Sequence, residues 1–196
     1  FKLYPGLINA SLKKIASKKI ELRKIKIRFN DFPNWFKKNT ISLSNYEKKQ
    51  FVENYYQEPD LHIVFKNKEK LDNFEEGLIK TSNVSGFLLN KDDIRKKKSF
   101  IKGDWWVQDF SSFFPLHNLR NIDSKKTFLD ACAAPGGKSF QLLSRKFTVV
   151  LNDISKARLQ ILKSNLNRLK FSAEKINKDF RKINHNRKFD FIVIDA

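Results

Sequence analysis

An acid, a thiol, a proline, two adjacent glycines and a lysine are strung together in Asp130-Ala-Cys-Ala-Ala-Pro-Gly-Gly-Lys138, directly behind the apolar run Thr127-Phe128-Leu129. An apolar strand that stops at an acid and then turns through glycines is how an open α/β sheet offers its first loop to a nucleotide-like cofactor. Gly136 and Gly137 let the backbone pass close to a ligand because no Cβ intervenes. Pro135 stiffens the turn, and Lys138 to Leu143 reads as the helix that follows. The spacing is neither G-x-G-x-x-G nor G-x-x-x-x-G-K-[ST], which counts against a dinucleotide fingerprint and a phosphate loop.

The elements that must carry this loop follow at regular intervals. Phe147 to Leu151 is a second short apolar run that reaches Asn152-Asp153. Asp153 stands 23 positions after Asp130, close to the separation at which an acid behind the second strand binds ribose hydroxyls. Leu159, Leu162, Leu166 and Leu169 fall on one face of the next helix and read as core. Glu174 to Asp179 reads as a third strand, and Phe189 to Ala196 as a fourth, each with an acid at or near its end. Near-continuous apolar strands suit a parallel sheet covered on both faces. Asp130, Asp153, Asp179 and Asp195 would then gather at the carboxyl ends, where such sheets bind ligands. For each acid singly, the plainer role is a helix N-cap.

The string from Asp130 to Lys138 resembles the first motif of the RsmB/Sun (Fmu) family of S-adenosylmethionine-dependent RNA cytosine-5 methyltransferases. Asp153-Ile-Ser-Lys-Ala-Arg-Leu159, with Asn165-Leu-Asn-Arg-Leu169, is similar to its second motif, and Gly103-Asp-Trp-Trp-Val-Gln-Asp109 to its Gly-x-x-x-Val-Gln-Asp element. The resemblance implies a Rossmann-like class I methyltransferase sheet, incomplete here, and S-adenosylmethionine as cofactor. It implies a cofactor site built from Cys132, Ala133, Ala134, Pro135, Gly136, Gly137, Lys138, Asp153, Asp179 and Asp195, with Asp179 on the adenine side. In the family, Asp-Ala is followed by Pro-Cys, and a Thr-Cys-Ser element lies further on. One thiolate attacks C6 of cytosine, the methyl group goes to C5, and the other cysteine helps release the product. Both cysteines would fall after Ala196, so no catalytic residue is expected within these residues. Cys132, the only cysteine, is expected to pack under the ligand, since no His or Asp partner activates it in sequence.

Composition bounds the rest. The chain holds 196 residues, enough for one or two domains, and no methionine. We therefore expect a piece of a longer protein, lacking both of its ends. One cysteine excludes a disulfide framework and fits a reducing cytoplasm. No apolar run approaches a membrane span, and Phe1 to Ile20 carries too many lysines for a signal peptide. Lys and Arg number 40 against 21 Asp and Glu, a formal charge of +19 that suits a polyanion binder. The lysine-heavy mixture with Asn, Ile and Phe is also what an AT-rich coding sequence produces. Clustering in the first 30 residues and at Arg95-Lys-Lys-Lys98 favours nucleic acid.

Three regions are expected. Residues 1–30 read as helical, with Leu7, Ile8, Leu12, Ile15 and Ala16 forming an apolar stripe, and resemble the end of the family's NusB-like RNA-binding domain. Residues 31–102 read as a helical linker and a small α/β RNA-binding module. Pro33 starts a helix, Ser44 to Glu47 forms a capping box, and 61–66 alternates as a half-buried strand. Lys68 to Lys80 is expected to be helical and Val84 to Leu89 a strand. His62 is read as structural or exposed, without the companions of a metal site. Trp105 and Trp106 are expected to pack between module and sheet rather than stack on bases. Residues 103–196 would be the first part of the cofactor-binding domain. The expectation is a monomeric, cytoplasmic enzyme that makes 5-methylcytosine in RNA, ribosomal by resemblance, with neither metal nor membrane. A noncatalytic RNA-binding protein is the alternative. A Rossmann oxidoreductase would need the absent G-x-G-x-x-G turn.

Overall fold

The computed structural model describes residues 4–55, 57, 59–90, 92–183 and 186–195; the first three positions of the expected N-terminal helix, and Ala196, lie outside them. The chain divides into two compact units, 1–59 and 60–196.

In the first unit, α1 (Pro5–Ser17) and α2 (Lys19–Arg23) replace the continuous helical run expected to residue 30. Beyond them Ile25 and Ile27 alternate with Lys26 and Arg28, a pattern with no helical stripe, and this segment is not helical. A 3₁₀ turn at Phe29–Asp31 then leads to α3 (Asn34–Asn39) and α4 (Asn45–Asn54). The α1 stripe is not a core face within this unit: Leu7 is 68% and Leu12 58% exposed. The unit is held instead by aromatic packing, with the Phe36 and Phe51 rings 5.1 Å apart and Phe32 and Phe51 5.3 Å apart. The capping box forms as the sequence predicts. Glu47 N donates to Ser44 Oγ at 3.2 Å, and Ser44 N donates to the Glu47 carboxylate at 2.7 Å.

The second unit contains β1 (His62–Phe65), α5 (Lys68–Asp72), β2 (Leu78–Ser82), β3 (Ser85–Leu88), α6 (Lys98–Ile101), β4 (Trp105–Val107), α7 (Phe110–His117), β5 (Thr127–Asp130), α8 (Gly137–Ser144), β6 (Thr148–Asn152), α9 (Lys156–Leu169), β7 (Glu174–Ile176) and β8 (Phe191–Val193). Two sheets organise it. The first is antiparallel in the order β2-β3-β1-β4. The expected half-buried strand is its centre, and all four residues of β1 are buried. The cause is double coverage. Ile63 and Phe65 join Leu71, Leu88 and Trp105 on one face, while Val64 joins Trp106 and Phe113 on the other.

The helix expected over 68–80 is also corrected. Asn67 caps α5 by accepting from Lys70 N, but the helix ends at Asp72, and Leu78–Ser82 is a strand. Pairing with β3 overrides local helix propensity there. Trp105 and Trp106, 0% and 2% exposed, point into opposite cores, so packing is their role and neither face is open to a base. Trp106 Nε1 donates to Gln108 Oε1 at 2.9 Å, Gln108 Nε2 to Gln141 Oε1 at 2.7 Å, and Gln141 Nε2 to the Phe113 carbonyl at 3.0 Å. This buried relay ties the first sheet to α7 and α8 with its polar groups satisfied.

The second sheet is parallel in the order β7-β6-β5-β8. With α8 and α9 as crossovers, it is the first half of a doubly wound, Rossmann-like α/β fold. Leu162, Leu166 and Leu169 of the leucine stripe are buried in the shared core. The fourth strand is shorter than the sequence suggested and runs along the sheet edge, leaving Ile192 52% exposed. Strand order reverses between β5 and β8, which sets a crevice outside their carboxyl ends.

Candidate functional site at the β5–β8 switch point

The loop between β5 and α8 enters this crevice. Asp130, 2% exposed, faces down from it and accepts from Ser139 Oγ at 2.6 Å. Burial pushes its carboxyl above the usual range, opposed by the Ser139 hydroxyl and the Cys132 amide. Asp130 therefore organises the loop from beneath. The glycines have an internal reason beyond ligand approach. Gly136 adopts φ +121, and a Cβ there would lie 2.0 Å from the Phe140 ring; a Cβ on Gly137 would meet Gln108 at 3.2 Å. The loop is thus closed onto its own helix, α8, whose first-turn N–H groups and positive dipole end face the crevice.

Asp153, 1% exposed, braces the loop from β6. Its Oδ2 accepts from Ala134 N at 3.2 Å, its Oδ1 from Ser155 N at 2.9 Å, and Arg158 stands 3.7 Å away. The Arg158 guanidinium also donates to the Ala134 carbonyl. Asn152 completes this brace, giving Nδ2 to the Ala131 carbonyl at 2.9 Å and taking Lys178 N at 3.3 Å. On the other side, Lys138 Nζ donates to Ser112 Oγ at 2.7 Å and pairs with the Asp195 carboxylate. Lys138 and Asp195 line a cleft of about 520 Å³ with Ser112, Leu116 and Ile192.

Asp179 is different. It lies beyond the end of β7 and caps the 3₁₀ turn Phe180–Lys182. Hydrogen bonds from the Arg181 guanidinium, at 2.6 and 3.0 Å, hold its carboxyl down at about 2. Of the expected acids, Asp153 and Asp195 are joined by contacts to the stretch Cys132 to Lys138, and Asp179 is not. Sequence reading missed Ser112, Ser139, Asn152 and Arg158 as partners. The last two had a signal: an amide beside a strand-end acid, and an arginine one helical turn beyond it.

Cys132 is partly buried and carries a free thiol. Burial pushes its pKa up, and Asp153 and Asp130 add to the rise. A raised pKa leaves less thiolate at neutral pH, so Cys132 should react with iodoacetamide at pH 7.5 more slowly than an ordinary cysteine in an unstructured peptide. The rate should climb as pH rises through and above 9. Equal or faster alkylation at pH 7.5 would show an activated thiol. Among the described residues no group of His, Cys, Asp and Glu is arranged to hold a metal, and no helix is long and apolar enough to cross a membrane.

Comparison with known proteins agrees with this geometry. Residues 118–196 match the model of the 16S rRNA methyltransferase RsmB/F family. The chain is 39% identical over 102 residues to ribosomal RNA small subunit methyltransferase B of Photorhabdus laumondii, covering 50% of this chain and 24% of that protein. It is 27% identical to the protein of that name from Serratia proteamaculans, over 97% of this chain and 48% of the relative. The chain thus spans between a quarter and a half of these relatives. A crystal structure of a methyltransferase homologue from Pyrococcus horikoshii shares the fold, with a TM-score of 0.65 at 19% identity over 83% of this chain and 58% of that one. By the match at residues 118–196, and by the loop and parallel sheet they build, this part of the chain is similar to the RsmB/F family of rRNA methyltransferases, enzymes whose cofactor is S-adenosylmethionine.

Proposed function

We propose that this chain takes part in S-adenosylmethionine-dependent methylation of ribosomal RNA at C5 of cytosine, and that its residues hold the cofactor. The observation that carries the reading is the loop after β5, placed at the switch point and braced by Asp153. The residues fit the group. S-adenosylmethionine brings a ribose diol, a carboxylate and a sulfonium-borne methyl group, and it is the methyl donor when bound. Asp153 offers a carboxylate to the diol, through lone pairs left over from its two backbone bonds. The start of α8 offers N–H groups and a positive dipole end to the carboxylate. Cys132 to Gly137 supply the backbone wall, while Lys138 and Asp195 face the cleft beside it. Asp179 would serve the adenine side through the acceptor capacity that its bonds from Arg181 leave on Oδ2.

Cys132 is not the nucleophile in this reading, because its thiol is raised in pKa and belongs to the cofactor loop itself. Residues 1–30 act as the end of a helical RNA-binding domain and 31–102 as linker and RNA-contacting module. The setting is a reducing cytoplasm and the chain acts as a monomer. The test is direct. Incubated with methyl-labelled cofactor and ribosomal RNA, these 196 residues should bind cofactor weakly and transfer no label. Label at cytosine that disappears on Cys132→Ala would overturn the assignment of the thiol.

A further inference from the structure

A second concavity lies at the opposite end of α8 from the cofactor loop. The end of β1, the turn between β2 and β3 and the ends of α7 and α8 enclose a groove of about 420 Å³. Lys66, Lys68, Arg120 and Arg145 line it, and no carboxylate does so among the described residues. Two of these cations are spoken for. Lys68 pairs with Asp72 outside the groove, and Arg145 donates to the Leu116 and Leu119 carbonyls at 3.0 and 2.9 Å. Lys66, 5.1 Å from the Phe171 ring, and the exposed Arg120 have no ion-pair partner within 4 Å among the described residues.

The charges also act on one another. Burial, and then Arg120 and Arg145, hold the His117 imidazole below its ordinary value, which favours its neutral form. Lys66 is held down by burial and, from outside the groove, by Lys170, Lys70 and Arg168, against the pull of Asp104. Cations crowded in a concave site focus a positive potential, and an anion placed there relieves their repulsion. Asn83 and Asn121 at the rim add neutral donors.

We propose that this groove binds a phosphodiester group of the RNA strand, away from the reacting nucleotide, with Lys66 and Arg120 as its principal contacts. The proposal rests on RNA being the substrate. The groove begins at Gln141, four residues or about 6 Å along α8 from the cofactor loop. S-adenosylmethionine carries no phosphate, so the two sites take chemically distinct ligands. A contact of this kind adds affinity and register without touching the reacting atoms, and it carries no base readout.

The test compares the parent chain with Arg120→Gln and with Lys66→Gln/Arg120→Gln. Binding of a fluorescein-labelled single-stranded RNA is measured between 50 and 300 mM salt, cofactor binding and thermal melting serving as controls of fold. The expected result is weaker RNA binding, with the slope of log affinity on log salt shallower by about 0.7 for each phosphate that the variant no longer neutralises. Cofactor affinity should stay unchanged. Arg120 is exposed, so the single variant keeps the test open if replacing Lys66 disturbs folding. RNA binding with an unaltered salt slope would overturn the groove while leaving RNA as substrate. No RNA binding by the parent would remove both, whereas the cofactor reading would stand or fall on its own titration. Inorganic phosphate or ATP that binds in a Lys66- and Arg120-dependent way without competing with RNA would make this a free-anion site and overturn the proposal.

Discussion

Asp153→Asn is expected to weaken S-adenosylmethionine binding about 100-fold. On the proposed site the carboxylate accepts from ribose hydroxyls, and charge-assisted bonds of that kind contribute about 1.5–3 kcal/mol each. Removing the charge from two of them costs about 3 kcal/mol, which is the stated factor. The brace also suffers. An amide nitrogen set against Ala134 N turns an accepting contact at 3.2 Å into a clash of donors, and a buried N–H left unmet costs about 1–3 kcal/mol. Calorimetric titration of cofactor, paired with thermal melting, separates the two effects. Arg158→Gln is the comparison variant: it spares both backbone bonds of Asp153 but removes an ion pair whose arginine is 53% exposed, together with the Arg158 bond to the Ala134 carbonyl. Affinity for cofactor within threefold of the parent in Asp153→Asn would leave Asp153 as a loop brace and nothing more.

Gly103→Ala should be among the most destabilising single changes in the chain. Gly103 adopts φ +75, and a Cβ there would stand 2.0 Å from the Arg168 carbonyl oxygen. That oxygen belongs to the last turn of α9, so no side-chain rotation relieves the contact. The same turn is fastened by Arg168, which donates to the Phe100 and Trp105 carbonyls at 2.7 and 3.0 Å and lies 3.7 Å over the Phe100 ring. Backbone strain of about 1–3 kcal/mol adds to a steric cost of about 1–3 kcal/mol. The expected destabilisation is about 2–6 kcal/mol, or a fall in melting temperature of roughly 8–24 °C for a unit of this size. A melting temperature within 2 °C of the parent would mean that the first sheet does not lean on α9 this closely. Gly136→Ala makes a useful companion, since its steric partner is a side chain rather than backbone.

Much of the parallel half was legible in sequence because its signals are local. An apolar run that ends at Asp130, an adjacent glycine pair and a leucine stripe each fix an element without help from distant residues. The capping box at Ser44 formed for the same reason. Where the reading failed, long-range pairing was the cause. Residues 78–80 look helical next to Lys68–Leu71, yet β3 supplies hydrogen-bond partners that a helix would not use. β1 alternates like a half-exposed strand, but its second face is covered by Trp106 and Phe113 from later in the chain.

By itself, then, the sequence determined the order of the strands and helices around the loop, its acids at strand ends, and the family whose motif it resembles. Those follow from periodicity and turn chemistry within a few residues. Tertiary structure alone decided what each acid faces. Asp130 turns inward to Ser139, Asp153 reaches Ala134 across 19 positions, and Lys138 meets Asp195 across 57. Asp179, which looks equivalent in sequence, is instead taken by Arg181 two residues away. A carboxylate's partner depends on which donors the packed chain brings within about 3 Å, and no local pattern encodes that distance.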